Sequence, residues 1–150
     1  MKPELDSELN KALGSVVRGL HHVAIVVPSI EEARRTYVDA LGMSAGEPEY
    51  VEDQKVNVLV CLAGEQRIEL VEPAVPDSPV SNFLAKRGGG LHHLAYLVDD
   101  VAEAIGKLKA AGLRLIDEEP RPGAHGTRIA FVHPKATGGV LTELVEEPKN

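Results

Sequence analysis

Apolar and polar positions follow one plan twice along this chain. Gly19-Leu20-His21-His22-Val23-Ala24 runs on into Ile25-Val26-Val27, a β-rich segment that reads as a strand. Ser29-Ile30-Glu31-Glu32 then forms a capping box, with Ser29 as cap and Glu32 at the third helical position. Ile30, Ala33, Tyr37 and Leu41 mark a helical stripe that ends at Gly42, a left-handed stop. Strands are predicted over 45–51, 55–63 and 67–72, with Gly64-Glu65 turning the last hairpin.

The plan restarts 71 positions later with Gly90-Leu91-His92-His93-Leu94-Ala95. Asp100 takes the place of Ser29, and Val101, Ala104, Ile105, Leu108 and Ala111 form the stripe up to Gly112. Strands follow over 113–117, 127–133 and 139–146, joined by Pro/Gly-rich pieces. At the two closing glycines the offset is 70, so one residue was gained or lost inside the helices. Each half reads βαβββ: module one about 19–73, a linker 74–89, and module two about 90–148 of a single domain 19–150. The linker predicts a short helix from Pro79 capped by Ser78, and ends in Gly88-Gly89-Gly90. That glycine run precedes a strand, which excludes a dinucleotide-binding loop. Residues 1–18 read as a leader, helical or frayed.

The halves also close alike, Ile68-Glu69-Leu70-Val71-Glu72 against Thr142-Glu143-Leu144-Val145-Glu146. Side chains alternate across a strand, so His21, Val23, Ile25 and Val27 share one face and Leu20, His22, Ala24 and Val26 the other. The bulkier face suits packing under a helix, which turns His22 and His93 inward and His21 and His92 outward. A buried histidine is usually structural, and a glutamate between Ile68 and Leu70 usually faces solvent. Four such residues at matched places in a repeat change that reading. Two carboxylates in one cavity would suffer desolvation and mutual repulsion, and a divalent cation removes both. His22, Glu69, His93 and Glu143 are therefore candidate metal ligands. Two imidazoles and two carboxylates suit Co²⁺, Ni²⁺, Mn²⁺, Zn²⁺ or Mg²⁺ and do not select among them.

Charge and composition narrow the partners. A net charge of −7 argues against a nucleic-acid binder. Cys61 is the single cysteine, so no intrachain disulfide forms and no cysteine-based zinc site exists. That usage fits a cytoplasmic protein. The longest apolar run, Val58 to Ala63, is far too short for a membrane span.

These residues resemble the vicinal oxygen chelate (glyoxalase-like) superfamily, and within it the methylmalonyl-CoA epimerases. The resemblance runs from about residue 19 to 147. It is carried by His21-His22-Val23-Ala24, Pro76-Asp77-Ser78-Pro79-Val80, Phe83-Leu84-Ala85-Lys86, Gly90-Leu91-His92-His93 and Gly123-Ala124-His125-Gly126. Its most specific part is Phe131-Val132-His133-Pro134-Lys135 with Gly138-Gly139-Val140-Leu141-Thr142-Glu143-Leu144. It implies an α+β fold in which two βαβββ modules form an incomplete, cupped mixed β-barrel around a divalent ion, cobalt in the first place.

The resemblance places ligands on His22, His93 and Glu143, and the remaining one, Gln or Glu in the family, on Glu69. It implies an isomerase of propionate metabolism that interconverts (2R)- and (2S)-methylmalonyl-CoA by metal-assisted proton abstraction at C2 through an enolate. Glu143 is the first candidate base and Glu69 the weaker second. Some epimerases carry a catalytic glutamate in the strand before the Gln/Glu ligand, where Gln54-Lys55-Val56-Asn57-Val58-Leu59 offers no carboxylate. Arg121, His125, Arg128 and Lys135 are candidate contacts for the phosphates of coenzyme A, against the alternative of solvated surface charge. The analogy adds a homodimer. Two other activities share the fold: a lyase acting on a glutathione hemithioacetal, and a metal-free binding protein.

Overall fold

The computed structural model describes residues 16–149. The leader expected over 1–18 lies outside the described residues up to position 15, and Val17 and Arg18 already belong to strand β1 (Val17–Val26). The chain packs as two compact units: 22–93 with 123–125, and the residues up to His21 with 94–122 and 126–149. Among the described residues no helix is long and apolar enough to cross a membrane.

In the unit of residues 22–93, β4 (Val56–Ala63) and β5 (Gln66–Pro73) form the expected hairpin, and β1 lies parallel to β5. The predicted strand 45–51 is two pieces, β2 (Ser44–Ala45) and β3 (Glu49–Val51), each antiparallel to β4. Gly46-Glu47-Pro48 separates them, and Pro48 has no N–H for the ladder.

Alternation along β1 sorts the core as expected. Ile25 and Val27 join Ile30, Ala33, Tyr37, Leu59, Cys61 and Leu70 under the helix. Ala24 and Val26 join Val56, Val58, Val71 and Val80 on the opposite, inner face. Each fully buried Leu or Val here contributes about 1.5–3 kcal/mol.

Helix α1 (Ile30–Arg34) starts from Ser29, whose Oγ accepts from the Glu32 N–H at 3.2 Å. It continues as a π-helix over Arg35–Ala40, where the Leu41 N–H reaches back five residues to Thr36 O at 2.9 Å. The wider turn holds the extra residue that the 70-position offset implied. It also corrects one expectation: Leu41 is 62 % exposed, turned off the apolar stripe, and Met43 packs under the helix instead.

The linker helix, α2 (Ser81–Arg87), begins later than predicted and has no side-chain cap. Ser78 is buried and spends its hydroxyl on Gln54 O instead. The glycine run after α2 has a steric cause. Gly89 sits at φ +110°, and a Cβ there would lie 2.8 Å from Val26 O.

In the other unit, β6 (Gly90–Val98) continues from Leu94 parallel to β9 (Thr142–Glu146). Next come β8 (Arg128–Val132) and β7 (Arg121–Pro122), both antiparallel to their neighbours. Helix α3 (Val101–Ala110) is capped by Asp100, which accepts from the Glu103 N–H at 3.0 Å. Val98, Val101, Ala104, Ile105, Ala130, Val132 and Leu144 pack beneath it. Ala95, Ile129, Phe131 and Val145 hold the opposite face. The strand predicted over 113–117 is reduced to one bridge, Leu115 to Val132. Both the Ile116 and Asp117 N–H groups converge on Phe131 O, and the Asp117 carboxylate takes the Phe131 N–H, so no ladder propagates.

Candidate active site

Strand pairing sets the inner carboxylates. Ala24 on β1 lies opposite Glu69 on β5, and Glu69 lies opposite Val60 on β4, which makes one row across the inner face. The other unit repeats the row in the same register: Ala95 opposite Glu143, and Glu143 opposite Phe131. Glu69 is 8 % exposed and Glu143 5 %.

Of the four predicted ligands, three meet within the unit of residues 22–93. His22 Nδ1 is 3.2 Å from Glu69 Oε2, and His22 Nε2 is 3.3 Å from His93 Nε2. All three side chains are buried. His93 Nδ1 in turn lies 2.8 Å from His92 Nδ1. Burial, then the neighbouring His22 and His92, hold His93 well below the ordinary imidazole range, so it is neutral at pH 7. When each Nδ1–H is donated, one to Glu69 and one to His92, the two Nε2 lone pairs face each other. A cation relieves that arrangement, and neutral imidazole is the form that binds one. The residues therefore fit a divalent ion. Glu143 belongs to the other unit, on the inner face of β9.

His21 and His92 are less idle than strand alternation suggested. His21 is buried and its Nε2 pairs with the Glu147 carboxylate. His92 stands edge-on to Phe83, with ring centroids 4.9 Å apart. Its contact with His93 Nδ1 corrects the outward placement expected for His92, because the regular ladder begins only at Leu94.

Sequence reasoning left the second glutamate of each closing segment without a role. Glu72 accepts from the Ile30 N–H at 2.7 Å and from Asn57 Nδ2 at 3.0 Å. Glu146 accepts from the Val101 N–H at 2.9 Å, with Arg128 3.4 Å away. Each stabilises the first turn of its own unit's helix. The repeat of Glu-x-x-Glu at both closings was the available signal.

The candidate coenzyme A contacts are spread out. Arg121 and Arg128 lie on the paired strands β7 and β8, held by Asp117 at 3.3 Å and Glu146 at 3.4 Å. Lys135 follows the far end of β8, about 15 Å on by strand length. His125 belongs to the other unit, at φ 56°, with its N–H donated to Glu49 at 2.7 Å. Segment 54–59 carries no carboxylate, but Glu52 and Asp53 stand exposed on the single turn between β3 and β4.

The profile of the glyoxalase/bleomycin resistance protein/dioxygenase superfamily matches residues 21–131, and the chain belongs to this superfamily. Its fold is accordingly the α+β, paired-βαβββ class expected. Among curated relatives, the ethylmalonyl-CoA/methylmalonyl-CoA epimerase of Cereibacter sphaeroides is 42 % identical over 127 residues, 83 % of this chain and 95 % of that one. The crystal structure of methylmalonyl-CoA epimerase from Mycobacterium tuberculosis aligns with TM-score 0.85 at 38 % identity, covering 90 % of this chain and 91 % of that one. A methylmalonyl-CoA epimerase in complex with methylmalonyl-CoA and NH4+ aligns with TM-score 0.80 at 32 % identity, over 89 % and 96 % of the two chains.

Proposed function

We infer that the protein is a methylmalonyl-CoA epimerase, an isomerase that inverts C2 of an acyl-CoA thioester. The observation that carries this reading is the buried His22–Glu69–His93 cluster in a chain similar along most of its length to acyl-CoA epimerases. The chemical task is to remove a weakly acidic proton between a thioester and a carboxylate, and to return one on the opposite face. His22, Glu69, His93 and Glu143 would hold a divalent ion. When bound, that ion supplies Lewis-acid polarisation of the thioester carbonyl.

The chain's own residues do the rest. Glu143 takes or returns the proton at C2 on one face as general base and acid. Glu69 is the partner on the other face. Glu52 is the alternative partner, since it directly follows Val51, a residue of the same inner core as Ala24. Exchange measured in Glu69→Gln and Glu52→Gln distinguishes the two. Arg121, His125, Arg128 and Lys135 are assigned to the coenzyme A phosphates. The analogy extends the reading to a cobalt ion and a homodimeric, cytoplasmic enzyme.

Incubation with methylmalonyl-CoA in D₂O tests the reading: deuterium should enter C2. Turnover of methylglyoxal with glutathione, and none of the thioester, would replace it with the lyase. Metal analysis after dialysis tests the ligand set. His22→Ala and His93→Ala should lose the ion that the unmodified protein retains, and His21→Ala should keep it.

A further inference from the structure

The two inner rows differ at one end. In one unit the row is Ala24, Glu69 and Val60; in the other it is Ala95, Glu143 and Phe131. Directly opposed side chains on a shared face stand about 4.5–5.5 Å apart at Cβ, so Val60 is the immediate lateral neighbour of Glu69. Its companions along the inner face of β4, Val56 and Val58, are buried in the valine core, whereas Val60 is only partly covered. Phe131 at the matching place is buried among Ile129, Ala95 and Val145. A small, partly uncovered apolar side chain thus stands beside an inner carboxylate where the other unit has a larger, buried one. Such an apolar surface accepts an alkyl group and not the carboxylate or thioester of the substrate, which need polar partners.

We propose that Val60 sets the size of the C2 alkyl substituent the site accepts. The proposal rests on the epimerase reading and concerns the specificity of the same site. Val60 touches the non-reacting alkyl arm, so its substitution moves the ratio between substrates that differ only there. One methylene in an apolar pocket is worth about 10–200-fold in discrimination.

The experiment compares kcat/KM for methylmalonyl-CoA and ethylmalonyl-CoA in the unmodified protein, Val60→Ala, Val60→Phe and Leu62→Ala. Leu62 lies on the same face two residues further along β4, 40 % exposed and opposite Arg67, and serves as the control. Val60→Ala should raise the ethyl-to-methyl ratio about tenfold. Val60→Phe should lower it by a similar factor, with metal content and melting temperature close to the unmodified protein in both. Leu62→Ala should leave the ratio unchanged. Ratios within twofold of the unmodified protein in both Val60 variants, or a shift confined to Leu62→Ala, overturn the proposal. Absence of C2 exchange in the unmodified protein with either thioester instead overturns the epimerase reading on which it stands.

Discussion

The two βαβββ units share their inner rows and differ around them. Ala24 beside Glu69 and Ala95 beside Glu143 occupy the same register, although the intervening chain changed length. The histidines are 71 positions apart and the glutamates 74. The differences lie at the edges. One helix carries a π-turn and the other is regular α-helix. One row ends in Val60 and the other in Phe131. One helix-capping glutamate is shared with Asn57 and the other with Arg128. The duplicated pattern thus holds its form where a strand delivers a carboxylate inward and drifts where a side chain only packs.

The largest effect should separate the two inner glutamates. Glu143→Gln should lower C2 deuterium exchange by about 10²–10⁴-fold while keeping most of its metal at saturating concentration. Glu69→Gln, which still offers the amide oxygen found at this ligand position in some family members, should lose less. Equal losses would make the two units equivalent in catalysis.

Next comes the pair of helix-capping carboxylates. Glu146 is 5 % exposed and Glu72 is more open. Urea denaturation of Glu146→Ala should show a loss of about 2–3 kcal/mol, and of Glu72→Ala about 1–2 kcal/mol. The reverse order would contradict the assignment of the more deeply buried cap.

Acidification probes His93, which burial and the neighbouring His22 and His92 disfavour in its charged form. Its pKa in the fold lies well below the ordinary imidazole value of 6.5. As pH falls below 6.5 the unfolded chain gains a proton that the fold refuses. Stability of the metal-free protein, full above that pH, should therefore decline as pH falls toward the lowered folded value. His93→Gln should flatten that decline, and an unchanged pH profile would show that another group governs it.

The smallest effect concerns the π-turn. Asp39 is exposed on it, and deleting that residue shortens the span from the cap Ser29 to Gly42 from 13 positions to 12, the span from Asp100 to Gly112 in the other helix. The deletion should fold with a melting temperature within a few degrees of the original and show regular α-helix up to the closing glycine. A persistent π-turn would mean that packing against Met43 and Tyr37, rather than the extra residue, imposes it.

Much of this was legible in the sequence because it depends on local chemistry. Ser29 and Asp100 cap as their side chains dictate, and alternation placed Ile25 and Val27 under the helix. What the sequence hid depends on distant partners. Leu41 left its stripe because one residue was inserted before it. Residues 113–117 failed as a strand because Phe131 drew their N–H groups to one carbonyl. Ser78 abandoned its helix for Gln54 O. At the site, the repeat exposed His22, His93, Glu69 and Glu143, while the contact of His92 with His93 and the capping roles of Glu72 and Glu146 required the fold.

The spacing within each closing segment has a consequence for how these units tolerate change. Glu69 and Glu72, like Glu143 and Glu146, are separated by an odd number of positions, so one points inward while the other meets the helix on the opposite side. Slipping the strand by one residue exchanges the two sides, and slipping it by two pulls the cap off the helix as it moves the inner carboxylate away from its alanine. No misaligned pairing keeps one function at the expense of the other. The segment acts as an interlock: a unit whose helix is properly seated has also delivered its inner glutamate to the right depth.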